Sequence, residues 1–385
     1  MPPMIPYPLA FAAGVFLILV VMWDAFEAII LPRRVTRRFR LTRIFYKTTW
    51  TAWRFAACLV SSRKTRESLL GFYGPMSLLL LVGVWAVGLV FGFGLLQSGA
   101  GSAVSVTGTQ PGGYTTDLYL SGTTFFTLGL GDVLPRSSLA RALVVTEAGL
   151  GFGFLAAVIG YLPFIYGSFS KREVNISLLD SRAGTPPTAG ELLRRHSYPH
   201  GQESLRELLK GWELWCAELM ESHLSYPVLA FFRSQHDNQS WIASLTSILD
   251  TCALLKVGVE GTCEKQAELT FAIARHAAVD LSQVFKTPPQ PLPKNRLPAE
   301  DLQRIRETLA REGMKLREGE EADKELTALR RMYEPYLYGL AAYLMQSLPP
   351  WIPEKKGKDN WQTTAWAQTS GVLYKDKSTP GDDHF

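Results

Sequence analysis

Three stretches of this 385-residue chain are apolar for long enough to cross a bilayer, and all three fall within its first 170 residues. A hydrocarbon layer of about 30 Å needs about 20 helical residues at 1.5 Å each. Leu9 to Leu31 meets that length, Pro75 to Gln97 meets it again, and Ser138 to Phe169 exceeds it and can run on past the membrane. Between the first two, Leu41 to Ser62 alternates Phe45, Tyr46, Trp50, Trp53 and Phe55 with Arg43, Lys47 and Arg54. That segment is too charged to span. The pattern predicts an amphipathic helix lying on a leaflet, its basic residues near anionic headgroups, or else one packed against the soluble part of the chain.

Beyond residue 170 the pattern changes to three- and four-residue apolar spacing. A Pro/Gly stretch (Gly184, Pro186, Pro187, Gly190) reads as a linker, followed by helices over Gln202 to Glu221, Trp241 to Val257 and Cys263 to Phe285. A second, extended linker is expected over Pro288 to Pro298. Interleaved charges then predict helices over Ala299 to Arg317 and Glu321 to Leu348, and an irregular tail after Pro349 despite Trp351, Trp361 and Trp366. The expected organisation is a first span (1–32), a basic interfacial segment (33–74), a membrane module (75–170), a helical domain (171–348) and a tail (349–385). The fold class is an all-α membrane protein with a helical cytoplasmic domain.

Composition matters only because its average, 47% hydrophobic and 19% charged, conceals this division. Charge placement adds orientation. Arg33, Arg34, Arg37, Arg38, Arg40, Arg43 and Lys47 follow the first span, the loop from Ser98 to Tyr114 has no Lys or Arg, and Lys171 and Arg172 close the third span. The positive-inside rule therefore puts the N-terminus outside and the C-terminal domain in the cytosol, in a multi-pass protein of the cell membrane. The first apolar run is too long, and too poor in preceding charge, to be a cleaved leader. Cys58, Cys216, Cys252 and Cys263 form no CxxC pair and suit reduced thiols. No GxGxxG, Walker or HExxH sequence is present, so no enzyme, cofactor or nucleotide-binding regulator is expected, nor a nucleic-acid partner. His223, Arg233, His236, Asp237 and His276 match no metal-ligand spacing. Tyr226, Phe231, Phe232 and Trp241 read as core.

The chemistry is concentrated between the second and third spans. Thr115, Thr116 and Asp117 offer N-caps for a short helix running to about Phe126, supported by Thr123 and Thr124. The pattern Thr124-x-x-Thr127-x-Gly129-x-Gly131-Asp132 follows. Gly129 and Gly131 can adopt φ > 0, which lets successive carbonyls point the same way. In this setting the pattern resembles the pore signature of the potassium channel family, its two-transmembrane and two-pore-domain branch in particular. The resemblance implies a tetrameric pore-loop cation channel, a homotetramer in which four copies of the loop surround an axis. Carbonyls of Thr127, Leu128, Gly129, Leu130, Gly131 and Asp132 would replace the hydration shell of K+, the permeant ion, with Leu128 packing outward against the pore helix. Many selective members carry Tyr or Phe at the position of Leu130, whose ring helps hold the filter's width, and some carry Leu. A nonselective cation channel, or a membrane-anchored sensor or scaffold with a degenerate pore, are the alternatives.

The resemblance also makes Gly151 the candidate gating hinge of a pore-lining helix, with close packing as the other reading of that glycine. Asp24, Glu27 and Glu147 are ionisable groups in or beside the membrane layer and are candidate pH-sensitive residues. The first two can also pair with the arginines that follow them. No span carries regularly spaced arginines, so voltage sensing by such a helix is not expected.

Overall fold

A computed structural model describes residues 7–31, 40–101, 104–106, 113–235, 239–259 and 263–353. Arg33, Arg34, Arg37, Arg38, His236, Asp237, Trp361 and Trp366 lie outside them. The chain forms two units, one made of the residues up to Ser170 together with Glu221–Arg233, the other of Lys171–Met220 and the residues from Ser234 onward.

In the first unit, the apolar runs become helices α1 (Tyr7–Ile29), α3 (Arg63–Gly99) and α5 (Ser138–Ala183), with α2 (Leu41–Cys58) between the first two. Helix α3 extends on both sides of the apolar stretch from Pro75 to Gln97. The helix starts twelve residues before that stretch, where the Ser62 hydroxyl accepts from the Thr65 N–H, and it runs straight through Pro75. A proline within a helix removes one donor and bends the axis without ending the helix when tertiary packing holds both sides. Packing does so here: Leu70, Tyr73, Leu78 and Leu81, on both sides of the proline, are all buried.

Helices α1 and α3 meet along a seam of small residues. A Cβ on Gly14 would lie 2.7 Å from the Gly92 carbonyl oxygen, and one on Gly92 would lie 2.6 Å from Ile18. Such spacing lets helix backbones approach closely enough for dispersion contacts to hold them together in lipid. Gly94 faces Leu118 instead, while Gly83 faces open space.

Asp24 and Glu27 do not pair with the arginines beyond the first span in the same way. The buried Asp24 carboxylate accepts from the Thr42 N–H (3.0 Å), the Thr42 hydroxyl and the Trp85 indole N–H (2.9 Å). A side chain of α1 thus caps the N-terminus of α2, whose own flanking residue Arg40 makes no side-chain cap. Glu27 accepts from the Trp23 indole (2.7 Å) and pairs with Arg40 at 3.2 Å. Replacing Asp24 with Ala leaves a buried indole N–H and an orphan helix N–H without their acceptor, each worth roughly 1–3 kcal/mol. Asp24→Ala should therefore lower the melting temperature in detergent by an amount corresponding to about 3 kcal/mol; unchanged melting would remove the capping role.

Helix α4 (Tyr114–Phe125) precedes the glycine-bearing stretch 127–132, and two short strands flank this region, β1 (Val104–Val106) pairing antiparallel with β2 (Val133–Pro135). The expected caps at residues 115–117 are two positions or more too late. Gly113 occupies the N-cap without a side-chain bond, and Asp117 sits buried in the first turn, where its charge complements the helix dipole.

Among its described residues the second unit is helical, apart from a single bridge between Val259 and Leu316. It contains α6 (Ala189–Arg195), most of α7 (Gly201–Ser225), α8 (Trp241–Gly258), α9 (Glu264–Phe285), α10 (Ala299–Arg311), α11 (Glu320–Arg331) and α12 (Glu334–Leu344). Helix α8 is long and apolar enough to cross a membrane, yet 89% of it is buried by its own unit. It is the core helix.

Three readings are corrected in this unit. The first Pro/Gly linker is a packed turn: Pro187, Thr188 and Gly190 are buried, and Gly190 lies inside α6, donating its N–H to the Trp351 carbonyl. Glu321 to Leu348 is two helices, because Pro335 starts α12 after a break at Met332 and Tyr333. The helix expected to reach Arg317 stops at Arg311, and Gly313 turns the chain at φ +84°. The Pro-rich segment is irregular but locked. Arg296 reaches Asp250 (2.6 Å) and Glu334 (2.8 Å), and both Arg296 and Arg330 lie over the buried Trp351 ring.

Glu191 in α6 is subject to opposing effects. Burial raises its pKa, and the Arg194 and Arg195 guanidiniums outweigh that, holding the carboxyl at about 2 against an ordinary 4.5. A depressed folded-state pKa contributes stability above the unfolded value, lost as pH falls through the folded one. Acid titration between about pH 4.5 and 2 should thus destabilise the wild type more than Glu191→Gln; equal acid sensitivity would argue against this contribution.

Candidate functional site

Backbone geometry singles out the stretch after α4. Thr127, Gly129 and Gly131 all have positive φ, at +55°, +58° and +77°. Positive φ at every second residue across residues 127–131 reverses the usual alternation of carbonyl directions along an extended segment. Glycine meets that demand at two of the three positions. Thr127 meets it as a non-glycine residue, next to the end of α4, where its N–H donates to the Thr124 carbonyl at 3.0 Å. The Leu128 N–H donates to the Thr123 carbonyl at 2.8 Å, and Thr123 is a buried residue of α4. Thr124 is half-buried.

The residues from Thr127 to Asp132 are all exposed within the single chain. Leu128, expected to pack against the pore helix, is 61% exposed, and Leu130 is 63% exposed. Neither side chain is covered by the rest of the described chain.

The far end of the loop is tied down by a contact the sequence does not reveal. The Tyr119 hydroxyl, on α4, donates to the Asp132 carboxylate at 2.8 Å. Tyrosine in the middle of a short helix gave no pairwise signal, since the partner lies thirteen residues on, beyond a turn.

Behind the loop, α4 and α5 are held in contact at two points. The buried Glu147 of α5 accepts from the Ser121 hydroxyl of α4, which is also 2.7 Å from the Val90 carbonyl of α3. The acid is hydrogen-bonded, as its position suggested, and the partner is a serine. Four residues on, Gly151 faces the end of α4 so closely that an added Cβ would lie 2.4 Å from the Phe125 carbonyl oxygen. Close approach alone therefore accounts for this glycine. Gly149, Gly153 and Gly160 face open space.

Helix α5 is the least covered span. Only 11% of its apolar window is buried by the chain, leaving Val145, Phe152, Leu155, Ile159, Phe164 and Tyr166 exposed. At about 1.5 Å per residue its 46 residues extend roughly 69 Å, more than twice the hydrocarbon thickness.

The polar residues considered for a ligand or metal find separate partners. Arg233 pairs with Glu67 at 3.3 Å, His276 lies 3.4 Å from Asp280, and His223 is buried beside Ser222. Among the described residues no three His, Cys, Asp or Glu side chains converge on a metal-sized site. Cys216, Cys252 and Cys263 are buried free thiols, and Cys58 is an exposed one.

This arrangement of spans, re-entrant helix and exposed loop is that of an all-α membrane channel. Residues 78–163, from the middle of α3 to the middle of α5, match the Ion_trans_2 family model, described as an ion channel. That match points to transport across a membrane rather than to catalysis. The chain is also 22% identical over 212 residues to the uncharacterized membrane protein YdjJ of Bacillus subtilis (strain 168), a match covering 54% of this chain and 60% of that protein. No solved structure matches.

Proposed function

We propose that the protein is a potassium-selective channel of the cell membrane, formed by four copies of the chain around a shared axis. The observation that carries this reading is the positive φ at Thr127, Gly129 and Gly131, in a loop hung on a short helix inside the ion-channel segment. Carbonyls of Thr127 to Asp132 would form the filter and replace the hydration shell of K+, and the exposed Leu128 and Leu130 would find their walls on neighbouring copies. The uncovered face of α5 would line the pore. The charge pattern supports an external N-terminus and a cytosolic helical unit. The α2 segment, with Arg43, Lys47 and Arg54 beside exposed Ile44 and Phe55, would lie against anionic headgroups.

The test is cation flux into liposomes reconstituted with purified protein. Uptake driven by a K+ gradient, with Na+ uptake lower by at least tenfold, is expected. Equal K+ and Na+ flux would make the channel nonselective, the outcome to which Leu130 is most relevant. No flux of either ion would leave a membrane-anchored scaffold. Glu147 adds a proton-sensitive element to the proposal, being the buried acid that touches α4 directly behind the filter. Glu147→Gln keeps an acceptor for Ser121 and removes titration, so it should flatten the pH dependence of current; full pH dependence in that variant would assign sensing elsewhere.

A further inference from the structure

Residues 221–233 leave the helical unit and join the membrane unit, although the chain on both sides of them belongs to the former. The segment is the end of α7 followed by a 3₁₀ turn, Pro227–Phe231. Its aromatic side chains reach three helices at once. Phe231 lies 5.0 Å from Trp50 of α2, 5.1 Å from Tyr73 of α3 and 5.8 Å, stacked, from Tyr46 of α2, measured between ring centroids. Phe232 turns to α5, 5.5 Å from Phe169 and 6.3 Å from Tyr166. Tyr226 meets Tyr161 and Phe164 of α5 at 5.6 and 5.0 Å.

The fit is tight enough to dictate sequence on the opposing helix. A Cβ on Gly74 of α3 would lie 2.7 Å from the Phe232 ring. Val228 and Leu229 complete a buried cluster with Leu78, Tyr161 and Ile165, and Arg233 closes the segment with its ion pair to Glu67 at the start of α3. Two of the few residues that α5 buries between Phe152 and Gly167, Tyr161 and Ile165, thus belong to a cluster this segment completes. The rest of that stretch is largely exposed.

We propose that residues 221–233 act as a latch on the inner helix: seated, they fix the half of α5 beyond Gly160 against α2 and α3, and unseated, they free it to move. The inference rests on α5 lining the pore, and goes beyond that reading by naming the element through which the helical unit controls conduction. The physical basis is that packed aromatic interfaces have discrete seated and unseated arrangements rather than a continuum. Both ends of the latch continue into the helical unit. A rearrangement there, from whatever stimulus, pulls directly on the element that holds α5.

The experiment is single-channel recording in planar bilayers of the full-length protein and three variants. Phe232→Ala deletes the ring on α5, Gly74→Ala pushes the ring from the α3 side, and Glu67→Gln, at an exposed side chain, removes the tether and tests the latch even where a core variant fails to fold. Open probability is expected to change by more than threefold in every variant that elutes as a single species in detergent, with unitary conductance and the K+/Na+ permeability ratio unchanged. Open probability within threefold of the unmutated channel in all folded variants overturns the latch, as does a changed permeability ratio, which would make the segment part of the ion path. Absence of current from the unmutated protein is a separate outcome and overturns the channel reading on which the latch depends.

Discussion

Gly129→Ala and Gly131→Ala are each expected to abolish potassium-selective current while leaving membrane insertion intact. Both glycines hold φ in the left-handed region, +58° and +77°, and an added Cβ at either would meet no atom of its own chain within 4 Å. The penalty is therefore conformational rather than a clash. Left-handed backbone costs an L-residue about 1–2 kcal/mol. In the proposed four-copy filter each substitution is repeated four times, so about 4–8 kcal/mol would oppose the conducting backbone, a factor of roughly a thousand or more at 1.4 kcal/mol per decade. Hydrophobicity of the spans is untouched. The check is K+ and Na+ permeability in bilayers beside surface expression. Unchanged selectivity in both variants would remove the filter assignment.

Gly151→Ala is expected to be equally damaging by a different route. Here the added methyl would sit 2.4 Å from the Phe125 carbonyl oxygen, a backbone atom that no rotamer change can move away. Overpacking of this kind costs about 1–3 kcal/mol when neighbours can shift. The neighbours here are α4, whose middle is pinned twice, by Tyr119 to Asp132 and by Ser121 to Glu147. The strain falls on the proposed filter, so current should be lost together with thermal stability. Gly153→Ala is the matched control, two residues away with nothing within 4 Å. Replacing Gly by Ala in a helix interior stabilises by roughly 0.5–1 kcal/mol where space allows, so that variant should conduct and melt higher. If Gly151→Ala alters open probability but leaves melting unchanged, flexibility rather than contact is the reason for this glycine.

The spans and the glycine pattern of the pore loop were legible because both are local. A bilayer imposes a length on every apolar run, and alternate positive φ imposes glycine within five residues. What could not be read was set by distant contacts. Pro75 looked like a helix start because nothing local shows that Leu70, Tyr73, Leu78 and Leu81 are buried on both sides of it. Phe231 and Phe232 read as core and are buried, whereas Tyr226 is half-buried, and the sequence carries no sign that they serve the membrane unit rather than the helical one. The same holds for Asp24. Its acidity near the end of a span was conspicuous, yet its acceptor role depends on Thr42 and Trp85, eighteen and sixty-one residues away. The exposed leucines of the loop mark a different limit, since in the proposed four-copy channel their surroundings would lie on other copies of the chain.

The carboxylate of Asp24 bears on how far this protein can be trimmed. It is tempting to treat residues 63–170 as a self-sufficient pore and the first span as a membrane anchor that could be exchanged for any other. Removing α1 would strip α2 of its cap, leave the Trp85 indole without its acceptor and expose the surface around Gly88 and Gly92 that α1 fills. A heterologous helix with bulkier residues at the positions of Gly14 and Asp24 would restore hydrophobic length and none of these contacts. The first span is accordingly a subunit of the pore's scaffold in its own right, and swaps between channels are expected to succeed only when the first span travels with the helices it supports.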